Sequence, residues 1–229
     1  MSKLARDYDA WHQSRDPGPS DPRELRLCDW VLDLLEPERG RSLLDVACGT
    51  GTFLSRAHER GLEVAGVDIS PVAVGRARER LPGADIREAP GEGLPFADES
   101  FDYVTCLGSL EHFPDPEAGA REIARVLRPD GRGVVYVPNL YFLGHVWLGI
   151  RHGIQPSEGE QHFSERFLTS QGWIALLEGQ GLRVANWVPW NFIWATPKVG
   201  RLTISLWNKL SPLVPRNAAY SFAFVCRRA

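Results

Sequence analysis

Two aspartates and two glycines carry the chemistry that this sequence states most plainly. Leu43-Leu44-Asp45-Val46 runs through Ala47 and Cys48 into Gly49-Thr50-Gly51-Thr52. The apolar run predicts a strand covered on both faces, since such strands are continuously apolar rather than alternating. Gly49 and Gly51 permit a tight turn and let a ligand come close where a Cβ would clash. A helix predicted from about Thr52 aims its first N–H groups into that turn. A dinucleotide site would need G-x-G-x-x-G. Here Leu54 stands at the third glycine position, and Asp45 opposes a pyrophosphate but suits an ammonium group. Asp68 ends a second apolar stretch, Leu62–Asp68. An acid there can accept hydrogen bonds from both hydroxyls of a ribose. The two acids together fit a ligand with a ribose, an amino-acid tail and no phosphate.

A scaffold of alternating strands and helices has to hold these acids, and the sequence predicts one. Asp21-Pro22 reads as an N-cap followed by proline, opening a helix with Leu25, Cys28, Val31, Leu32 and Leu35 on one face. Thr52–Arg60 is a helix closed by Gly61. Ser70-Pro71 repeats the cap and opens a helix to about Leu81. Ala84–Arg87, Phe101–Leu107 and Gly133–Val137 are strands, with a helix over Pro116–Leu127. Thr169 or Ser170 caps a helix bearing Trp173, Ile174 and Leu177. Leu182–Val188 and Tyr220–Cys226 form an antiparallel pair at the end of the sheet. This alternation predicts an open, doubly wound α/β sheet whose ligands sit beyond the strand C-termini. Asp45, Asp68, the 88–93 loop and Leu107-Gly108 all fall at that edge.

Asp45-x-Ala47-Cys48-Gly49-Thr50-Gly51, Gly66-Val67-Asp68-Ile69-Ser70 and Leu94-Pro95-Phe96-x-x-x-x-Phe101-Asp102 occur in that order. Ser109-Leu110-Glu111-His112 and Glu122-x-x-Arg125-Val126-Leu127-Arg128-Pro129-x-Gly131 follow. With these motifs the chain resembles the class I S-adenosylmethionine-dependent methyltransferases, in particular the small-molecule group that includes the quinone-biosynthesis enzymes. The resemblance covers residues 40–139 firmly and the remainder loosely. It implies a Rossmann-like seven-stranded sheet, mostly parallel with an antiparallel terminal strand. S-adenosylmethionine is the implied cofactor and S-adenosylhomocysteine the product. The cofactor-binding residues carried over are Asp45, Ala47, Gly49, Gly51, Asp68, Ile69 and Leu107. The family places an acid before Leu-Pro-Phe to take the adenine amino group, and that position here is Pro90. Gly91, through its N–H, and Glu92, as a substitute acid, are the candidates for that contact.

Methyl transfer from a sulfonium is an in-line displacement, so the protein mainly aligns the acceptor and excludes water. An acceptor hydroxyl needs a base. His112 and His162 are the candidates; for His112 a structural role competes with catalysis, and His162 lies where acceptors bind in similar enzymes. His58, His145 and His152 have no such context. Residues 139–168 and 189–217 interrupt the regular alternation with apolar and aromatic residues, including Tyr141 and Trp190. They read as insertions forming a cap that shapes an acceptor pocket. Tyr8 and Trp11 mark residues 1–20 either as a lid over the cofactor, as in similar methyltransferases, or as an aromatic staple on the main body. The whole of 1–229 reads as one domain, with the cofactor core at 40–138.

The 229 residues, 43% apolar, suffice for a large core. Cys28, Cys48, Cys106 and Cys226 form no C-x-x-C pair, so neither a metal site nor a disulfide framework is expected. No run reaches the roughly 18–20 apolar residues of a membrane span, and no signal core opens the chain. A cytoplasmic enzyme is the simplest expectation. The net charge is −3, yet no acid follows Glu178, and that tail carries seven lysines and arginines. The first 178 residues therefore hold −10. This asymmetry, with Trp187, Trp190, Trp194 and Trp207, points to an acceptor with an apolar body and an anionic end, or to peripheral contact with an anionic membrane. The expected reaction is methylation, at oxygen, of a small or lipid-like molecule. RNA or protein methylation is the first alternative, set back by the acidic body and the lack of basic clusters. The second is a non-catalytic, cofactor-binding partner subunit. Oligomeric state is left open.

Overall fold

The computed structural model describes residues 3–14, 21–142, 150, 166–191 and 213–229. Helices α1 (Lys3–Gln13) and α2 (Pro22–Leu35) precede β1 (Ser42–Val46), α3 (Thr52–Glu59), β2 (Glu63–Asp68), α4 (Pro71–Arg80) and β3 (Asp85–Glu88). Then come β4 (Phe101–Leu107), α5 (Pro116–Val126), β5 (Leu127–Pro138), α6 (Ser170–Glu178), β6 (Leu182–Trp190) and β7 (Ser221–Arg228). The strands form one seven-stranded sheet in the order β3-β2-β1-β4-β5-β7-β6. Pairs among β1 to β5 are parallel, and β7 is antiparallel to both β5 and β6. The antiparallel strand is last in sequence but lies inside the sheet, with β6 at the edge.

Helix starts follow the caps. The Ser70 hydroxyl accepts from Ala73 N at 3.1 Å, Asp115 accepts from Ala118 N at 2.8 Å, and Thr169 accepts from Gly172 N at 3.1 Å. Each satisfies an N–H that the first turn leaves open. Side chains that alternate along a strand reach opposite faces. Phe222 and Phe224 of β7 join Ile123, Trp173 and Leu177 under α5 and α6. Ala223 and Val225 join Val31, Leu32, Leu35, Leu54 and Val74 under α2, α3 and α4.

The largest boundary difference from the sequence reading is at the start of β5. β5 begins at Leu127, six residues before Gly133, because Leu127 already pairs with Phe101. The register then jumps to Tyr103↔Arg132, so Arg128–Gly131 bulges around Asp102. The sheet accommodates this stretch as an irregularity.

Candidate functional site

The strand order reverses between β1 and β4, and the C-terminal ends of β1, β2 and β4 open into a cavity of about 750 Å³. Asp45 and Thr105 are register partners on β1 and β4, and the Thr105 hydroxyl donates to Asp45 Oδ1 at 2.6 Å. Asp68, at the end of β2, accepts from Gly49 N at 2.8 Å and from Ser70 N at 2.9 Å. One carboxylate thus holds both the glycine turn and the start of α4. Both acids are buried, at 3% and 6% exposure. Burial pushes Asp45 up to about 7, the Thr105 hydroxyl pulls it back, and the charge of Asp68 adds to the rise. Burial also raises Asp68 against the two backbone amides, and Asp9 adds to that. These carboxylates are poorly compensated by the protein itself, which is the electrostatic mark of a site for a cation.

The turn between them needs its glycines. Gly51 caps α3 with φ of 78°, and a Cβ there would meet the Ala77 methyl at 3.2 Å. Ala47 carries a φ of 61°, unusual for a residue with a side chain, in the wall of the cavity. Across the cavity, Gly91 packs so closely on the Phe113 ring that a Cβ would lie 2.2 Å from it. The loop holding Gly91 and Glu92 is fixed from below. Glu122 accepts from Leu94 N at 2.7 Å, and Arg125 donates to Leu94 O at 3.0 Å and Phe96 O at 2.8 Å. The Glu-x-x-Arg motif is therefore the anchor of that loop.

The structure brings most of the sequence candidates together. Asp45, Ala47, Gly49, Asp68, Ile69, Gly91, Glu92, Leu107 and His112 line the cavity, with Tyr8 and Trp11 from α1. Gly51 stands one layer behind, where it packs on α4 rather than facing the cavity. His112 lies in the 3-10 turn Leu110–His112, its ring edge-on to Tyr8 with 6.5 Å between centroids. Two acceptor candidates sit elsewhere. Trp190 is 8% exposed and packs on Trp30 at 4.5 Å, as part of the core under α2. Tyr141 is 58% exposed beyond the end of β5 and is not among the cavity walls. His162, Trp194, Trp207, Lys198, Arg201 and Lys209 lie outside the described residues, as do most of the two insertions. Trp187 of the basic tail rests on Phe222 and carries the Arg216 guanidinium 4.3 Å over its ring, so this pair is satisfied within the fold.

Three residues in and around the site were not singled out from sequence. Thr105 had only its polarity within an apolar strand to mark it, and the register that pairs it with Asp45 is a tertiary fact. Asp9 and His12 share a buried stripe of α1 with Ala5, a four- and three-residue spacing that was open to reading. All four cysteines are buried and free, and burial pushes Cys28 and Cys226 up to about 12 and holds Cys48 and Cys106 well above the ordinary thiol range. Among the described residues no cluster of His, Cys, Asp and Glu has the makings of a metal site, and no helix is long and apolar enough to cross a membrane.

Residues 44–135 match the family described as the methyltransferase domain. The chain is 40% identical over 116 residues to a ubiquinone biosynthesis O-methyltransferase of Alkalilimnicola ehrlichii, covering 48% of this chain and 47% of that protein. It is 40% identical over 114 residues to the 27-O-demethylrifamycin SV methyltransferase of Amycolatopsis mediterranei, covering 47% and 42%. The chain thus spans about half the length of these relatives. A Haloferax volcanii methyltransferase, solved in complex with the Trm112 methyltransferase activator, has the same fold. Its TM-score is 0.69 at 20% identity, over 99% of this chain and 97% of that one. Residues 44–135 therefore match a methyltransferase domain, and the sheet that carries them has a Rossmann-like order.

Proposed function

We propose that the chain transfers a methyl group from S-adenosylmethionine to an oxygen of a small-molecule acceptor. The observation that carries this reading is the pair of buried, under-compensated carboxylates, Asp45 just before the glycine turn and Asp68 bonded to Gly49 within it. They suit a nucleoside with a cationic amino-acid tail, and the cavity has the volume of a small-molecule site, typically about 300–1,000 Å³. When bound, S-adenosylmethionine supplies a methyl group already activated by the positive sulfur.

The chain's own residues do the rest. Asp68 would hold the ribose hydroxyls and Asp45 the ammonium end. Ile69, Gly91, Glu92 and Phe113, which line the same cavity, would hold the base. Tyr8, Trp11 and His12 of α1 close the wall and exclude water. His112 lines the same cavity and is the candidate proton acceptor, and His162 in the first insertion is its alternative. The acid-free basic tail supports an acceptor with an anionic end. The two named relatives are a ubiquinone biosynthesis O-methyltransferase and a 27-O-demethylrifamycin SV methyltransferase, and a small-molecule acceptor for this chain follows by likeness to them.

The test is direct. S-adenosylmethionine and S-adenosylhomocysteine should each raise the melting temperature, and NAD should not. Asp68→Ala should weaken both by about 1–3 kcal/mol, since an acceptor of two hydroxyls is lost. A shift with NAD and none with the methyl donor would end this reading. Transfer of labelled methyl groups into a lysate, followed by mass identification of the product, then names the acceptor.

A further inference from the structure

Helix α1 is joined to the ribose-side acid through a single residue, Ser70. The Ser70 N–H donates to Asp68 at 2.9 Å, while its hydroxyl donates to Asp9 Oδ1 of α1 and accepts from Ala73 N at 3.1 Å. Ser70 is fully buried and Asp9 is 8% exposed. Asp9 Oδ1 also accepts from Val72 N at 3.3 Å, so the carboxylate sits over the first turn of α4, where N–H groups point outward and negative charge is favoured. One helical turn on, Arg76 donates from Nη1 to the His12 carbonyl at 2.7 Å. Asp9 and His12 lie three residues apart on one face of α1, so the two bonds grip the same side of the helix against α4. The grip also places the His12 ring against the glycine turn: a Cβ on Gly49 would come within 3.9 Å of its Cε1.

We infer that Asp9 is a positioning residue for the cofactor site, docking α1 onto α4 through Ser70 and thereby fixing both Asp68 and the His12 wall. This rests on the proposed cofactor reading only for its binding arm. A carboxylate buried among donors holds a helix whose buried stripe is Ala5, Asp9 and His12, of which only Ala5 is apolar. Without Asp9, the Ser70 hydroxyl and the Val72 amide lose their acceptor in a buried place, which costs more than an exposed bond does.

The experiment compares the intact chain with Asp9→Ala, Asp9→Asn and Arg76→Met by amide hydrogen exchange without ligand and by titration calorimetry with S-adenosylmethionine. Asp9→Ala should speed exchange of the α1 amides at least tenfold, leave β1, β4 and β5 amides unchanged, and weaken S-adenosylmethionine about tenfold. Asp9→Asn keeps the Oδ1 acceptor and should restore most of the protection and affinity. Arg76→Met should loosen α1 to a lesser degree. Parent-like α1 exchange in Asp9→Ala overturns the inference. So does equal loss in the Asn and Ala variants, because the bonds to Ser70 and Val72 would then be irrelevant. If the parent chain binds no S-adenosylmethionine, the functional proposal fails, and the exchange measurement still decides the latch.

Discussion

Two aspartates on neighbouring strands meet opposite fates. Asp45 lies near the C-terminal end of β1, and Asp102 lies at the start of β4, at the other edge of the same sheet. Asp102 accepts from Ser42 N at 3.0 Å, from the Ser42 hydroxyl at 2.8 Å, from Arg128 at 2.8 Å and from Arg41 at 3.2 Å. Burial alone would push it up, but the Ser42 amide and hydroxyl and the Arg128 guanidinium outweigh that and hold it at about 2. Asp45 is more deeply buried, has the Thr105 hydroxyl and lies near the like charge of Asp68, and it rises to about 7. One edge of the sheet is finished with compensated charge. The other is left with charge in want of a counter-ion. Residues that lower stability by themselves concentrate where a ligand completes them.

The largest break in this symmetry is expected at Asp102. Asp102→Ala strips the Ser42 amide of its acceptor and leaves Arg128 and Arg41 facing one another. The loss should be about 2–3 kcal/mol. For a chain of this size that is a fall of roughly 5–10 °C in melting temperature. S-adenosylmethionine affinity should stay as in the parent, since the residue lies at the far edge. The sign of the pH dependence follows from the folded value lying below the ordinary one. The stabilisation is present above the ordinary carboxylate range and is lost as pH falls toward about 2. A melting temperature equal to the parent's at pH 7 would show that the cluster contributes nothing.

Asp45→Asn should act the other way. The amide can still accept from Thr105, so the shape survives while the buried charge goes. S-adenosylmethionine binding should weaken by about 1.5–2.5 kcal/mol. The ligand-free variant should melt above the parent at pH 8. Here the folded value lies above the ordinary one, so the penalty is absent at low pH and grows as pH rises to about 7. The gain should therefore vanish by about pH 4. A smaller effect follows in the parent: affinity for the cationic cofactor should rise a few-fold between pH 6 and 8 as Asp45 ionises. Asp45→Asn should flatten that rise. A rise that persists in the variant would assign it to another group.

The edge that binds was far more legible than the edge that stabilises. Leu43–Val46, Gly49 and Gly51 form a contiguous pattern and Asp68 ends the next apolar run, because a turn, a helix start and a strand end are local events. Asp102 could be read only as part of Phe101-Asp102, because its partners come from two distant stretches, Arg41 and Ser42 at the start of β1 and Arg128 at the start of β5. The same limit hid Thr105 and Asp9, whose roles arise from parallel register and from helix docking. Trp190 shows the converse error. Its neighbourhood of tryptophans suggested a pocket, yet the pairing of β6 with β7 turns it onto Trp30. Composition names a surface, and only register says which face it covers.

Glu92 is the residue on which the comparison is finest, since it shares features of both edges. It lines the cavity where a family acid would be replaced by Pro90, and its Oε1 accepts from Asp115 N at 3.5 Å, ahead of α5. That bond is long for an N–H donor, so it contributes little to stability. The half-buried carboxylate should therefore behave as a ligand group. Glu92→Ala should lower S-adenosylmethionine affinity by about 1 kcal/mol, roughly five-fold, and move the melting temperature of the ligand-free chain by under about 2 °C. Glu92→Gln keeps an acceptor oxygen and should fall between parent and Ala. An analogue with inosine in place of adenosine isolates the contact, because it lacks the amino group that Glu92 would accept from. The parent should discriminate against the analogue and Glu92→Ala should not. If the variant discriminates as well as the parent, the base is read by the backbone of residues 89–91. Glu92 then belongs with Asp102 among the acids that finish the fold.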